Sequence, residues 1–135
     1  MTDAPLWVVA GALAGPDARW LMHRRPLNKA HGGLWEFPGG KVEETEIPVE
    51  SLVRELHEEL GIILKAPDCT PVCFAEDHRK SGNRPIVILL YKITNWVGLP
   101  QALEGGEVGW FSAQEAMKLK KPPLDEQLAA HLFEK

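Results

Sequence analysis

Glu55, Glu58 and Glu59 lie within five residues of one another, and Arg54 stands directly before them. On a helix at about 100° per residue, placing Glu55 at 0° puts Glu58 near −60° and Glu59 near +40°. The three carboxylates then share an arc of roughly 100°. Val49, Leu52, Val53, Leu56 and Leu60 fill a second arc, from about 60° to 160°. The acidic arc abuts the apolar one, so a helix that buries its leucines holds the glutamates along the edge of a cleft. Carboxylates gathered there repel one another, and a hard divalent cation with oxygen ligands removes the conflict. Magnesium suits such a set, because it takes few carboxylates and shares its other positions with water and substrate phosphates. The competing reading is a solvated acidic face with Arg54 paired to Glu50 or Glu58, each four residues away.

The elements that must position these groups follow from local pattern. Leu6 to Leu13 is a near-continuous apolar run, as in a strand buried on both faces. Gly15-Pro16-Asp17 marks a turn, and Arg19 to Arg24 returns as a strand. A polar loop runs from Pro26 to Gly33, and Leu34 to Gly40 is a short apolar piece stopped by proline and glycine. The acidic helix is expected over Pro48 to Leu60, with Pro48 at its first position and Gly61 just past its end. Ile47 at the N-cap has no side-chain acceptor, so Glu50 supplies only half a capping box. Thr70 to Glu76 and Pro85 to Thr94 read as strands joined by a polar hairpin loop, and Gly105 to Phe111 as another strand. Ser112 with Glu115 completes a capping box for a further helix. Leu124 to Phe133 forms the last helix. The expected class is α/β, an α/β/α sandwich with a mixed sheet in a single domain over residues 1–135.

Composition narrows the partners. The chain has 135 residues, 44% of them apolar, and a net charge of −4 from 15 basic and 19 acidic side chains. That balance argues against general binding to nucleic acid polymers or anionic membranes, while a bound divalent metal still permits a nucleotide. The stretch Leu6 to Leu13 lacks a basic flank and is too short to span a bilayer. Cys69 and Cys73 make neither a disulfide framework nor a tetrahedral zinc set, and are expected as reduced thiols of a cytoplasmic protein.

Gly40, five residues, Glu46, seven residues, and then Arg54-Glu55-Leu56-His57-Glu58-Glu59-Leu60-Gly61-Ile62 resembles the Nudix signature at every fixed position. The likeness extends outward. Leu34 to Val42 resembles the approach to that box in MutT-like enzymes, His23-Arg24-Arg25 their basic strand end, Leu103 to Glu107 their acidic loop, and Pro122 to Asp125 the start of their last helix.

The resemblance implies a Nudix α/β/α fold and hydrolysis of a nucleoside triphosphate to monophosphate and pyrophosphate. It implies Mg²⁺ as cofactor, with Mn²⁺ as a substitute, and metal ligation by Glu55, Glu58, Glu59, Glu104 and the Gly39 carbonyl. Arg54 would orient the carboxylates, and Glu55 or Glu104 would take a proton from water. Gly40 and Glu46 would shape the loop and the start of the helix. Arg25, Glu36, Phe37, Pro38, Gly39 and Asp125 would contact the nucleotide. The leading implied substrate is 8-oxo-dGTP, in a protein that is a monomer or weak homodimer. Two other readings stand beside it: a CTP or modified-dCTP pyrophosphohydrolase, and a non-catalytic nucleotide-binding module.

Two residues depart from the pattern. Asp125 stands where bacterial MutT enzymes carry an asparagine that reads the oxidised purine, and an aspartate donates a hydrogen bond only when protonated. Ile47 is the second, and its expected effect is on stability.

Other residues carry weaker expectations. Trp7, Trp20, Trp96 and Trp110 are expected to pack in the core. Trp35 is expected to point away from Glu36's face, leaving Phe37 nearer the base. The five histidines show no metal spacing, and His57 should face solvent. His31 and Lys41 are candidates for phosphate contact, and Arg79, Lys80 and Arg84 for an exposed basic loop tip.

Overall fold

The computed structural model describes residues 4–77 and 84–134. Its central strand is β1, Leu6–Leu13, whose side chains alternate between two helical layers. Val9 and Leu13 enter one core cluster, and Ala10 and Ala12 enter another on the opposite face. This two-sided burial explains why the run reads as continuously apolar. The exception is Trp7, near the start of the strand, which is exposed where core packing was expected.

Strand β4 (Gly39–Lys41) pairs antiparallel with β1, placing Val9 opposite Gly40. On the other side β6 (Ile86–Ile93) runs parallel to β1, and β5 (Cys69–Asp77) pairs antiparallel with β6. The sheet is therefore mixed, in the order β4-β1-β6-β5. A second, antiparallel sheet joins β3 (Trp35–Glu36), β2 (Arg19–Arg24) and β7 (Glu107–Ser112). The apolar piece from Leu34 to Gly40 thus feeds both sheets, crossing between them at Phe37-Pro38. Pro38 is fully buried, and its carbonyl accepts from the Gly11 amide at 2.8 Å.

Helix α1, Pro48–Leu60, packs on β1 and β4 with Leu52, Leu56 and Leu60 fully buried. Ile47 at its N-cap has no acceptor, and its own amide donates to Glu50 Oε1 at 2.9 Å. Glu46 supplies further order by accepting from Ser51 Oγ at 2.7 Å. At the other end Gly61 takes φ 74°, and its amide bonds the His57 carbonyl. Helices α2 (Ala113–Lys118) and α3 (Pro123–Phe133) contact each other, and α3 also lies on β5. The Ser112–Glu115 capping box forms with both of its bonds. Lys121, itself buried, donates Nζ to the carbonyls of Met117 and Leu119 and to Glu126, closing the α2–α3 turn.

Trp20, Trp96 and Trp110 pack against the two clusters, as expected for core tryptophans. Trp96 and Trp110 stack at 6.1 Å, and Trp20 meets Phe133 edge-on at 5.4 Å. Trp35 packs edge-on against Phe111 at 5.0 Å. Arg84 donates to the carbonyls of Ala4 and Pro5, which ties it to the start of the chain. Arg79 and Lys80 lie outside the described residues. No helix among the described residues is long and apolar enough to cross a membrane.

Candidate active site

The helical wheel sets a gradient of burial along α1. Glu59, nearest the leucine arc, is 9% exposed, whereas the Glu58 side chain, farthest round, is 49% exposed. Glu55 lies between them. Arg54 ties this edge together. Its Nε and Nη2 donate to Glu46 at 2.8 and 3.0 Å, Nη1 to Glu55 at 2.8 Å and Glu58 at 3.4 Å, and Nη2 to the Lys41 carbonyl at 3.0 Å. The simple surface pairing with Glu50 does not form, because Glu50 is engaged at the helix start. Arg54's hydrogen bonds hold Glu46 down at about 2, well below the usual carboxylate range. Burial pushes Glu55 up, against the opposing pull of Arg54, with Glu58 and Glu104 adding to the rise. Burial likewise raises Glu59 to about 7, opposed by His23 and reinforced by Glu36.

The Gly39-Gly40 pair meets this helix edge to edge. The Gly39 amide donates to Glu59 Oε1 at 3.0 Å. A side chain at Gly40 would run into the Glu55 carboxylate, so glycine is required for that carboxylate to reach the sheet. Gly40→Ala is expected to displace Glu55 and lower kcat by roughly a hundredfold, with a loss of about 1–3 kcal/mol in stability. Steady-state kinetics and denaturant unfolding on the same preparation check both numbers. Unchanged kcat in a folded variant would show that Glu55's placement is irrelevant.

A cleft opens from this edge. One cavity of about 220 Å³ is lined by Gly39, Gly40, Lys41 and Glu59 together with Phe37 and Asp125. It adjoins a cavity of about 280 Å³ whose walls include Ile86, Ile88, Leu124 and Asp125. Arg25 and Glu36 border both, joined at 3.1 Å through Arg25 Nη1. Arg25 also donates to the Ala30 carbonyl at 2.6 Å. Asp125 is buried and accepts from the Phe37 amide at 3.0 Å. Burial raises its carboxyl to about 7, with the Phe37 amide opposing. A third space, about 340 Å³, brings Glu104 and Lys29 to Glu59, Arg25 and Glu36.

Nearly all the residues singled out in the sequence therefore border one cleft or the helix edge that bounds it. Pro38 does not line it, and serves as the buried crossing between the sheets. His31 borders the cavity with Leu124 and Asp125, while Lys41 borders the one with Gly39 and Gly40. His57 faces solvent.

His23 is the residue the sequence did not single out for this site. It is buried, with Nδ1 3.1 Å from Glu36 Oε2 and Nε2 3.0 Å from the Gly105 carbonyl. Burial alone would lower its pKa, but the Glu36 hydrogen bond and the nearby Glu59 charge outweigh that and raise it. Pairing of β2 with β3 puts His23 opposite Glu36, a relation between strands that no local spacing reveals. Ligand atoms of His23, Glu36 and Glu59 all lie within 4.8 Å of one another.

The donor set fits a hard divalent ion. It consists of carboxylate oxygens with glycine backbone beside them, and its buried members carry raised pKa values that a cation would relieve.

Comparison with known proteins agrees with this geometry. The family model for the NUDIX domain matches residues 5–132. The CTP pyrophosphohydrolase of Escherichia coli strain K12 is 35% identical over 117 residues, covering 87% of this chain and 84% of that protein. The 8-oxo-dGTP diphosphatase of Proteus vulgaris is 36% identical over 97 residues, covering 71% of this chain and 82% of that protein. A crystal structure of the MutT NUDIX hydrolase from Burkholderia pseudomallei superposes with a TM-score of 0.79 at 26% identity, covering 98% of this chain and all of the other.

Proposed function

The chain belongs to the NUDIX family of hydrolases acting on nucleotides, and from that premise we propose that it hydrolyses 8-oxo-dGTP to the monophosphate and pyrophosphate. The observation that carries this reading is one cleft lined by Glu59, Gly39 and Gly40 as well as Phe37 and Asp125, and adjoining an apolar cavity that shares Asp125. The cleft offers oxygen donors and backbone amide for a metal-bound polyphosphate, the adjoining cavity apolar walls and a buried polar group for a base.

In this reading Glu55, Glu58, Glu59, Glu104 and the Gly39 carbonyl would hold Mg²⁺, with Mn²⁺ as a substitute. The bound cation supplies charge neutralisation on the phosphate chain and a more acidic water. Arg54 fixes Glu55 and Glu58. A water attacks phosphorus as a phosphoanhydride P–O bond breaks. Its proton passes to Glu55 or Glu104, and pyrophosphate leaves. Arg25, Glu36, Phe37 and Asp125 hold the nucleotide, and Lys41 steadies the phosphates. The whole chain works as one cytoplasmic domain, a monomer or weak homodimer.

Asp125 favours a second reading, a CTP or modified-dCTP pyrophosphohydrolase, and the similarity to the Escherichia coli CTP enzyme supports it. Measuring kcat/KM over 8-oxo-dGTP, dGTP, dCTP and CTP with Mg²⁺ separates the two. Equal rates on dGTP and 8-oxo-dGTP beside a much faster CTP would sink the first. Asp125→Asn keeps an acceptor for the Phe37 amide and adds a permanent donor, so it should raise the preference for 8-oxo-dGTP over CTP.

The same variant tests the buried acid. Asp125 has its pKa raised from 3.8 to about 7, so the native state binds the proton more tightly and stability falls as pH rises between those values. Asp125→Asn should therefore gain on the parent by roughly 3 kcal/mol between pH 4 and pH 7. A pH-independent difference in urea unfolding would contradict the buried, proton-binding carboxyl.

A further inference from the structure

His23, on the strand between β3 and β7, bridges two parts of the cleft, Glu36 on β3 and the loop that leads into β7. Its Nδ1 is hydrogen-bonded to Glu36, the partner of Arg25 on the nucleotide side. Its Nε2 donates to the carbonyl of Gly105, the residue after Glu104. The Gly105 carbonyl can only accept, so Nε2 carries the hydrogen of that bond. The close approach of His23 to Glu36 is thus one of the ring's own two hydrogen bonds.

The loop that carries Glu104 is held at two points. On the near side the Gln101 amide bonds the Leu60 carbonyl and the Leu103 amide bonds the Glu59 carbonyl, each at 3.0 Å. On the far side His23 holds the Gly105 carbonyl, just ahead of Glu107, where the β2–β7 ladder begins. Gly105 and Gly106 take φ 97° and 79°. A side chain at Gly106 would run into the Arg24 carbonyl and come within 3.2 Å of His23 Nε2. The loop therefore passes against β2 as closely as backbone allows, with Glu104 between its two anchors and at the edge of the space shared with Glu59.

We propose that His23 is a positioning residue that latches the Glu104 loop to Glu36, setting the acidic side chain at the cleft in register with the bound nucleotide. This rests on Glu104 being a working carboxylate of the hydrolase. A merely structural His23 would stabilise β2 without acting through Glu104.

The test combines a double-mutant cycle with a measurement that needs no catalysis. His23→Gln should lower kcat roughly twentyfold or more in the parent, and less than about threefold once Glu104→Gln is present. Effects that multiply in full would overturn the latch. In the metal-free protein, amide exchange at Leu103 and Gly105 should accelerate at least about tenfold in His23→Gln, with Leu56 in α1 unchanged. Unaltered loop exchange would also overturn it. Should His23→Gln lose protection across α1 as well, Gly106→Ala attacks the same latch from the loop side, and a folded Gly106→Ala with parental kcat refutes the proposal. If Glu104→Gln itself leaves kcat unchanged, the reading of Glu104 falls, and loop exchange still decides whether His23 holds the loop.

Discussion

Glu59→Gln lowers kcat at least several hundredfold, about 3.5 kcal/mol of lost transition-state stabilisation, while the metal-free fold stays intact. Glu59 is the most buried of the α1 carboxylates and has the Gly39 amide on one oxygen. Glutamine keeps the shape and can still accept that bond, so backbone order should survive. What it loses is the charge. Glu59's pKa is raised from 4.5 to about 7, so the folded protein loses stability as pH rises through that interval. Removing the acid removes the penalty, and the metal-free variant should match or exceed the parent in melting temperature at pH 8. If Glu59 is a metal ligand as proposed, Mg²⁺ acts in the opposite direction on the parent, since it would bind the deprotonated carboxylate. Its stabilising shift should be larger at pH 8 than at pH 6, and Glu59→Gln should lose most of it. Parental rates of pyrophosphate release in the variant would refute the assignment of Glu59 as a metal ligand. An unchanged Mg²⁺ shift would do so independently of activity.

Arg54→Ala combines a stability loss of roughly 2–3 kcal/mol with a fall in kcat of about a hundredfold or more. The side chain holds Glu46 through two donors and Glu55 through a third, all part-buried. Its removal leaves two carboxylates short of a partner, and Glu55 free to swing away from the Gly39-Gly40 edge. Arg54→Lys should rescue little, because one ammonium cannot replace a planar fork serving several acceptors. Glu46 gives the pH signature. Its pKa is depressed from 4.5 to about 2, so the stability it contributes is complete above pH 4.5 and disappears as pH falls towards 2. Acid titration of unfolding should show this loss in the parent and a weaker one in Arg54→Ala. Coincident acid profiles would show that Arg54 does not anchor Glu46.

Much of this was legible in the chain. The helix over Pro48–Leu60 was readable because its leucines and glutamates recur at helical spacing, and the structure adds a gradient of burial from Glu59 through Glu55 to Glu58 that follows their angles around the helix. The Ser112–Glu115 box and the Gly61 stop were equally local, since each depends on residues a turn apart. Trp7 was misjudged for the same reason: an apolar run reports strand character, but burial at its first residues depends on which elements cover that end of the sheet. Leu34 to Gly40 looked like one short piece, and only the packing of two sheets divides it at Pro38.

The amino-acid sequence by itself showed the family resemblance. Glutamates at fixed helical spacing, with Arg54 beside them and Glu46 and the glycines shortly ahead of them, mark out an acidic edge, because most of the pattern lies on one helix and the rest just before it. Tertiary structure alone decided what that edge faces. Pairing of β2 with β3 and β7, and the return of the Glu104 loop over β2, bring His23 to Glu36 and Gly105 across 13 and 82 residues of chain. Contacts at such separations are set by how sheets and loops close on one another, and no local periodicity encodes them.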